Sequence, residues 1–224
     1  MYNIKTLAIF FVAISFPLII NAQINAHDAQ NRRHGKWQKN YENTGKIRYK
    51  GQFEHGKEVG TFKFYDKSSD KHPLATKTYL PKSDSISVKF YTPKGKLVSE
   101  GKMIGRKKEG KWRYYHKNNQ QLMMLENYEN DLLAGWKEIY FPNGKVAEKQ
   151  HFSKGKADGK NFVYGKNGQL IQEYTYKNGK FHGPVKIYDA NGNLKTEGNY
   201  KNGLKTGTWK YYKNGNIEET EQHP

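Results

Sequence analysis

The sequence predicts an all-β protein whose single elongated sheet is built from about eight stacked β-hairpin repeats of about 24 residues each. Three observations predict this fold: a tyrosine that recurs at a nearly fixed spacing, Asn-Gly turn signals, and short stretches in which apolar and polar residues alternate. A unit this short cannot bury a hydrophobic face alone, so the copies must stack on their neighbours. We therefore expect a linear array rather than a globule around one enclosed core.

The recurring tyrosine marks one position of the repeat, with successive spacings of 24, 26, 24, 25, 24, 24 and 24 residues. The repeat tyrosines are Tyr41, Tyr65, Tyr91, Tyr115, Tyr140, Tyr164, Tyr188 and Tyr212. Because they recur with the supersecondary unit, their expected role is structural.

One copy is well represented by the segment between Gly183 and Gly207, two glycines that we also expect to be structural. Val185 and Ile187 alternate with Lys186, which is the period of a half-buried strand. Apolar residues occupy the matching outgoing position in six copies: Trp37, Phe62, Val88, Trp112, Val185 and Trp209. These residues are expected to form an apolar stripe along one face of the sheet.

Two Asn-Gly pairs punctuate the same copy, Asn191-Gly192 and Asn202-Gly203. Both residue types tolerate the positive φ that a tight hairpin turn requires. One copy is therefore predicted to be a β-hairpin followed by a connecting turn.

The domain organisation follows from these patterns. Residues 1–22 are predicted to be a signal peptide, 23–33 a short linker, and 34–219 the repeat array. The copy at about 60–86 is irregular because its hairpin loop is longer, and 220–224 is expected to be a C-terminal tail.

The predicted signal peptide carries one basic residue, Lys5, before a nearly continuous apolar run from Leu7 to Ile20, and the small residue Ala22 precedes polar sequence. The run of about 14 residues is shorter than the roughly 20 that a transmembrane helix needs. We expect cleavage after Ala22 and export to the periplasm, the cell surface or the extracellular medium.

The composition excludes disulfides and thiolate metal sites because the chain has no cysteine. Lys and Arg total 39 against 21 Asp and Glu, a formal net charge of +18, which favours anionic partners such as lipid head groups or acidic envelope polymers. The alternative is that lysines spread over the strands protect an open sheet from aggregation. Export makes nucleic acid an unexpected partner, and self-association through sheet edges or faces stays open.

No motif in the sequence indicates an enzyme: HExxH, GxSxG and the phosphate-binding GxxxxGK[ST] loop are all absent. The eight histidines show no metal-ligand spacing. We therefore predict no catalytic, cofactor-binding or metal-binding residues. A glycan-cleaving enzyme would require a suitably separated pair of carboxylates, and none is evident near Glu173, Glu197, Glu218 or Glu219.

Aromatic and basic residues are interleaved in two stretches, Trp112 to Tyr115 and Trp209 to Tyr212. This composition suits stacking on bases or sugars. Strand alternation instead favours packing of the rings into the core.

Two segments, 176–183 and 200–209, resemble the MORN repeat, and more closely its bacterial variant in proteins labelled YwqK-type and antitoxin-like. The resemblance extends over about residues 33 to 219. Val185 and Trp209 stand where the parent motif has glycine, which is typical of the variant group. The resemblance implies a single elongated sheet of hairpins and provides no active-site residue, since the matching positions are structural.

The resemblance also implies a scaffold, because such arrays are linked with membranes and with dimerisation. The expected function is a secreted, non-enzymatic repeat scaffold that binds a protein partner or an anionic envelope surface. The alternative is an antitoxin-like or immunity protein that neutralises a partner by stoichiometric binding.

Overall fold

The computed structural model describes residues 23–68 and 71–224, and in these residues the chain is one antiparallel sheet of 18 strands. The predicted signal peptide, 1–22, lies outside the described residues. Strands pair with their neighbours in sequence, so the sheet is a continuous meander of hairpins. This confirms the predicted all-β array. Within the described part, no helix is long and apolar enough to cross a membrane.

The strands are β1 (Gly35–Asn40), β2 (Ile47–Glu54), β3 (Lys57–Phe64), β4 (Ala75–Tyr79), β5 (Ser85–Tyr91), β6 (Leu97–Ile104), β7 (Lys107–Tyr115), β8 (Leu122–Glu129) and β9 (Leu132–Leu133). They continue with β10 (Gly135–Tyr140), β11 (Val146–Ser153), β12 (Lys156–Tyr164), β13 (Leu170–Lys177), β14 (Lys180–Phe181), β15 (Gly183–Tyr188), β16 (Leu194–Lys201), β17 (Leu204–Lys213) and β18 (Asn216–His223).

Two of the outgoing strands are interrupted by a single residue. Between β9 and β10 the N–H of Ala134 still donates to Asn127 of β8 at 2.9 Å, and between β14 and β15 the N–H of His182 donates to Thr175 of β13 at 2.8 Å. Because the ladder continues through both breaks, each pair acts as one strand. Two strands per copy then agree with about eight predicted copies.

The two Asn-Gly pairs form different turns. At Asn202-Gly203 both residues have positive φ, 55° and 94°, as a two-residue hairpin turn requires. At Asn191-Gly192 only the glycine does, at 88°. There the carboxylate of Asp189 accepts the N–H of Asn191 at 2.8 Å, which builds a longer loop. A copy therefore contains one tight turn and one wider loop.

The apolar stripe lies on one face of the sheet, which we call the ring face. Its row of outgoing positions, the ring row, comprises Trp37, Phe62, Val88, Trp112, Lys137, Asn161, Val185 and Trp209. Phe62, Val88, Trp112, Val185 and Trp209 are at most 3% exposed, which confirms the predicted stripe at these positions. The core of this one-layer protein is therefore a line of side chains packed along the sheet.

Three aromatic rings of the ring row lie directly over glycines of the preceding returning strand. A Cβ atom added to Gly51 would lie 2.5 Å from the ring of Phe62. One added to Gly101 would lie 2.3 Å from the ring of Trp112, and one added to Gly198 would lie 2.3 Å from the ring of Trp209. The ladder shifts register at these glycines, between Lys50 and Gln52 for example. Bare backbone at these positions provides the surface on which the next copy's ring rests.

The last strand of the array extends beyond the predicted bound at residue 219, and the N-terminal segment packs against the first strand. The supposed linker at 23–33 runs along the outer edge of β1, where Asn25 donates its N–H to Lys36 and Ala26 accepts the indole N–H of Trp37 at 3.1 Å. The supposed tail at 220–224 continues β18 as far as His223, because Gly207 still pairs with that residue. Backbone pairing that the local composition does not indicate explains both differences.

Replacement of Gly101 by alanine should lower the free energy of unfolding by about 1–3 kcal/mol, because the new methyl group overlaps the buried ring of Trp112. Chemical denaturation of the full chain measures the loss. Gly45→Ala is the matched control, since nothing lies within 4 Å of its added methyl group. An equal loss in both variants would show that the ring does not depend on the bare glycine.

Candidate binding faces

The repeat tyrosines lie at the ends of the outgoing strands, where the hairpin loop begins. From the third copy onward, each lies at a register shift, as between Tyr114 and Tyr115, and each is the last residue of its strand except Tyr212, which is followed by Lys213. Tyr41 and Tyr65 lie one residue beyond β1 and β3, and the hydroxyl of Tyr41 donates to the Tyr65 carbonyl at 2.8 Å. Gly183 opens β15 with a φ of 100°. Gly207 lies within β17 with a φ of 66°.

The face opposite the ring face carries a row of charged side chains, and we call this face the charge face. Its cross-strand neighbours form the charge row: Lys89, Glu100, Arg113, Leu125, Glu138, Lys149, Phe162, Glu173, Lys186, Glu197 and Lys210. The charges alternate in sign along the whole row, with Leu125 and Phe162 as its two uncharged positions. Opposite charges on directly paired residues are mutually favourable.

Ion pairs form between neighbours along the charge row. The Lys89 ammonium lies 2.9 Å from Glu100, and Lys210 lies 3.3 Å from Glu197. Glu173 instead pairs with Lys160, which lies beside the row, at 2.5 Å. Solvated pairs of this kind contribute only about 0–1 kcal/mol each. The row therefore sets a pattern of surface charge more than it stabilises the fold.

Repeat tyrosines hold several carboxylates of the row. Tyr115 donates its hydroxyl to Glu100 at 2.5 Å, and Tyr212 donates to Glu197 at 2.7 Å. The hydrogen bond from Tyr115, with Lys89 assisting, holds the pKa of Glu100 below its ordinary value of 4.5. Burial and this same hydrogen bond raise the pKa of Tyr115 to about 12. Each such carboxylate is fixed in position and ionised at neutral pH.

Tryptophans on the ring face are covered by a cation from four residues earlier in the chain. Arg33 lies 4.9 Å from the Trp37 ring centroid, and the corresponding distance is 4.7 Å for Lys108 over Trp112 and 4.3 Å for Lys205 over Trp209. The glycine between cation and ring has positive φ in all three cases. Cation and ring attract each other electrostatically. These tryptophans are covered core rings rather than a stacking platform, in agreement with the packing alternative.

Polar side chains replace the rings in the fifth and sixth copies. Lys137 and Asn161 occupy the ring-row positions, and Asn161 is only 3% exposed. Lys137 lies 3.6 Å from the buried carboxylate of Glu126, and Asn161 donates to Glu148 at 2.8 Å. Hydrogen bonds and an ion pair thus replace ring packing at the centre of the array.

The aromatic residues of these two copies lie on the charge face. Trp136 precedes the ring-row position by one residue and Phe162 follows it by one, so alternation moves both rings to the other side of the sheet. Their centroids are 6.2 Å apart. This change of face differs from the predicted stripe, although the one-residue displacement of Trp136 relative to the other tryptophans is visible in the sequence.

Among residues 23–68 and 71–224, one cluster of side chains has metal-ligand chemistry, at the N-terminal end. Asp28, His34 and His55 each place a ligand atom within 4.8 Å of the others. Asp28 already accepts hydrogen bonds from His55 and from Arg32, both at 2.8 Å. These contacts hold its pKa well below the usual range. A metal ion would have to displace the Arg32 guanidinium, so the contacts fit a role in fastening the N-terminal segment to the first hairpin.

The family model described as "MORN repeat variant" matches residues 137–154, 157–178 and 181–202. These three segments are similar to the MORN repeat variant. The matches cover consecutive copies of the array and confirm the resemblance, whereas its bacterial and YwqK-type details stay predictions. MORN repeats indicate a repeat scaffold.

No curated protein matches the chain. Among solved structures, a mutant of S. aureus TarM in complex with Fondaparinux, alpha-GlcNAc-glycerol and UDP is similar over 43% of this chain and 19% of that chain. The sequence identity is 14% and the TM-score 0.31. The match spans less than a fifth of that structure's chain and carries no functional argument.

Removal of the Tyr115 hydroxyl should reduce the acid sensitivity of the fold. The depressed pKa of Glu100 gives stability that is complete above about 4.5 and is lost as the pH falls through the lower pKa of the folded state. Tyr115→Phe should therefore cost about 1 kcal/mol at pH 7, and its difference from the wild type should shrink below pH 4.5. Unfolding midpoints from pH 7 to pH 3 measure both effects.

The control for this prediction is Tyr188→Phe, because the Tyr188 hydroxyl makes no hydrogen bond to a carboxylate in the described chain. Its difference from the wild type should not change with pH. A pH-independent difference for Tyr115→Phe would exclude the proposed coupling.

Proposed function

We propose that this chain is an exported, non-enzymatic repeat scaffold that binds a protein partner or an anionic envelope surface through its charge face. The observation that carries the proposal is the charge row, a fixed alternation of charges from Lys89 to Lys210 on an open face. Contacts between strands in the described residues are those of a single layer. The charge face is therefore available along the length of the array.

A fixed charge pattern supports recognition because complementary charges set register and orientation and exclude mismatched partners. Phe162 and Trp136 add two half-buried rings at the centre of the same face, with the Lys149 ammonium 4.8 Å from the Trp136 ring centroid, and aromatic anchors within a polar surround are typical of protein interfaces. This combination favours a protein partner over a uniform anionic surface for the central part of the charge face.

The non-enzymatic part of the proposal is supported by the engagement of the carboxylates. Glu100, Glu138 and Glu197 each contact both a lysine and a repeat tyrosine. These contacts keep their pKa values low, whereas a general acid needs a raised pKa. The antitoxin-like alternative stays a prediction, since no contact in the sheet favours it.

Affinity capture from an envelope extract tests the scaffold function. The wild-type chain should retain one dominant protein at both low and high salt. A chain with Lys186→Glu and Glu197→Lys keeps its net charge but inverts two adjacent charges of the row, so capture should fall about tenfold or more. Unchanged capture by the inverted chain, with its fold verified by circular dichroism, would show that the row is not the recognition surface.

Export is tested by the mass of the chain recovered from the envelope or the medium. The recovered chain should begin at Gln23, because cleavage after the small residue Ala22 removes the leader. Ala22→Lys should block cleavage and leave the full-length mass. Recovery of uncleaved wild-type chain in the cytosolic fraction would exclude export.

A further inference from the structure

The alternation of charges stops at the N-terminal end of the charge face. From Lys89 the line of cross-strand neighbours continues through Thr76 and then through two lysines, Lys63 and Lys50, before it ends at Gln38. Lys50 and Lys63 are directly paired across β2 and β3. Like charges in this position repel each other, in contrast to every charged neighbour pair from Lys89 onward.

These lysines line a concavity of about 320 Å³. Its polar lining on the charge face consists of Lys36, Gln38, Lys50, Gln52, Thr61 and Lys63. Two of these residues come from each of the strands β1, β2 and β3, at alternating positions that point to the same side. Three adjacent strands thus contribute three lysines, two glutamines and one threonine to the lining, of which Gln38 donates to Asn40 and Thr61 is hydrogen-bonded to Thr78.

The three lysines of the concavity have no acidic partner. No ion pair involves Lys36, Lys50 or Lys63 within residues 23–68 and 71–224, whereas Lys89, Lys149 and others of the charge row each contact a glutamate. The ammonium of Lys50 lies over the Tyr65 ring at 5.6 Å, a contact that leaves its charge uncompensated. Three uncompensated cations on a concave surface produce a local positive potential.

The chemistry of this lining selects an oxyanion with more than one charge. Ammonium groups bind phosphate as point charges, and a phosphate monoester carries about −1.5 to −2 at pH 7, with three acceptor oxygens for the remaining donors. A carboxylate offers one charge and two oxygens, so it would leave more of the repulsion between Lys50 and Lys63 in place. Binding of phosphate would relieve a repulsion that the free protein tolerates.

We propose that the concavity formed by β1, β2 and β3 is a binding site for a phosphate-bearing ligand, held mainly by Lys36, Lys50 and Lys63. The site deepens the proposed function, on which it rests, by locating the contact with an anionic surface at one end of the array. The central charge row, where the charges compensate each other, is left for a protein partner.

Titration of the full-length protein with two probes tests the site. The first probe is inorganic pyrophosphate, followed by backbone amide shifts in ¹⁵N-labelled protein. The second is flotation with phosphatidylcholine vesicles that contain phosphatidic acid, whose head group is a phosphate monoester. The pocket variant combines Lys36→Gln, Lys50→Gln and Lys63→Gln. The charge-matched control combines Lys166→Gln, Lys177→Gln and Lys201→Gln, three exposed lysines that form no ion pair in the described chain.

We expect at least one probe to bind, with the affinity of the pocket variant about tenfold or more below that of the wild type and the control within about threefold. Binding of pyrophosphate, with shifts confined to β1–β3, identifies a site for soluble phosphate. Binding of vesicles alone, with the same dependence on the pocket lysines, identifies a phosphate presented on a surface.

Equal weakening of the two variants would overturn the site, because net charge would then explain the binding. Failure of both probes at millimolar concentration would also overturn it. These two results do not depend on the charge row from Lys89 to Lys210. If the pocket variant still captures a protein partner, the scaffold function does not require the phosphate site. Both variants must retain the wild-type amide spectrum outside β1–β3.

Discussion

The packing of an aromatic ring against the backbone of a glycine is the contact on which the array depends. Phe62, Trp112 and Trp209 each lie over a glycine that belongs to the preceding copy, so the core of one repeat is completed by the strand before it. Stability in such an array is approximately a sum of terms between nearest neighbours. A single layer cannot enclose these rings. Lys108 over Trp112 and Lys205 over Trp209 therefore shield the outer surface of each tryptophan from water.

The central copies show what happens where this contact is absent. The glycine position of the preceding strand is occupied by Glu126 beside Lys137 and by Gln150 beside Asn161. No aromatic ring therefore packs against a glycine at either of these two positions. Polar contacts hold the centre of the ring face, and Trp136 lies on the opposite face beneath the Lys149 ammonium. At the midpoint of the sheet, polar side chains therefore occupy the ring face and aromatic rings lie on the charge face, without a change of topology.

Much of the fold could be predicted from local patterns, because the repeat spacing, the Asn-Gly pairs and the alternation around Val185 are all visible within one copy. The charge row could not, since pairs such as Glu173 with Lys186 depend on register shifts that the sequence does not mark. The basic concavity was missed for the same reason: Lys50 and Lys63 look like ordinary strand lysines until they are paired. Composition predicted an affinity for anions but gave no position for it.

The two edges of the sheet end differently, and this gives the array a direction. Asn25 and Ala26 occupy the first edge, whereas β18 leaves its outer backbone groups without a partner strand in the described residues. β18 carries Glu218, Glu219 and Glu221 in an otherwise basic chain. Two such edges side by side would bring six carboxylates together, which disfavours the pairing of identical chains along this edge. An extended basic segment of another protein would meet no such barrier and could lengthen the sheet by one strand.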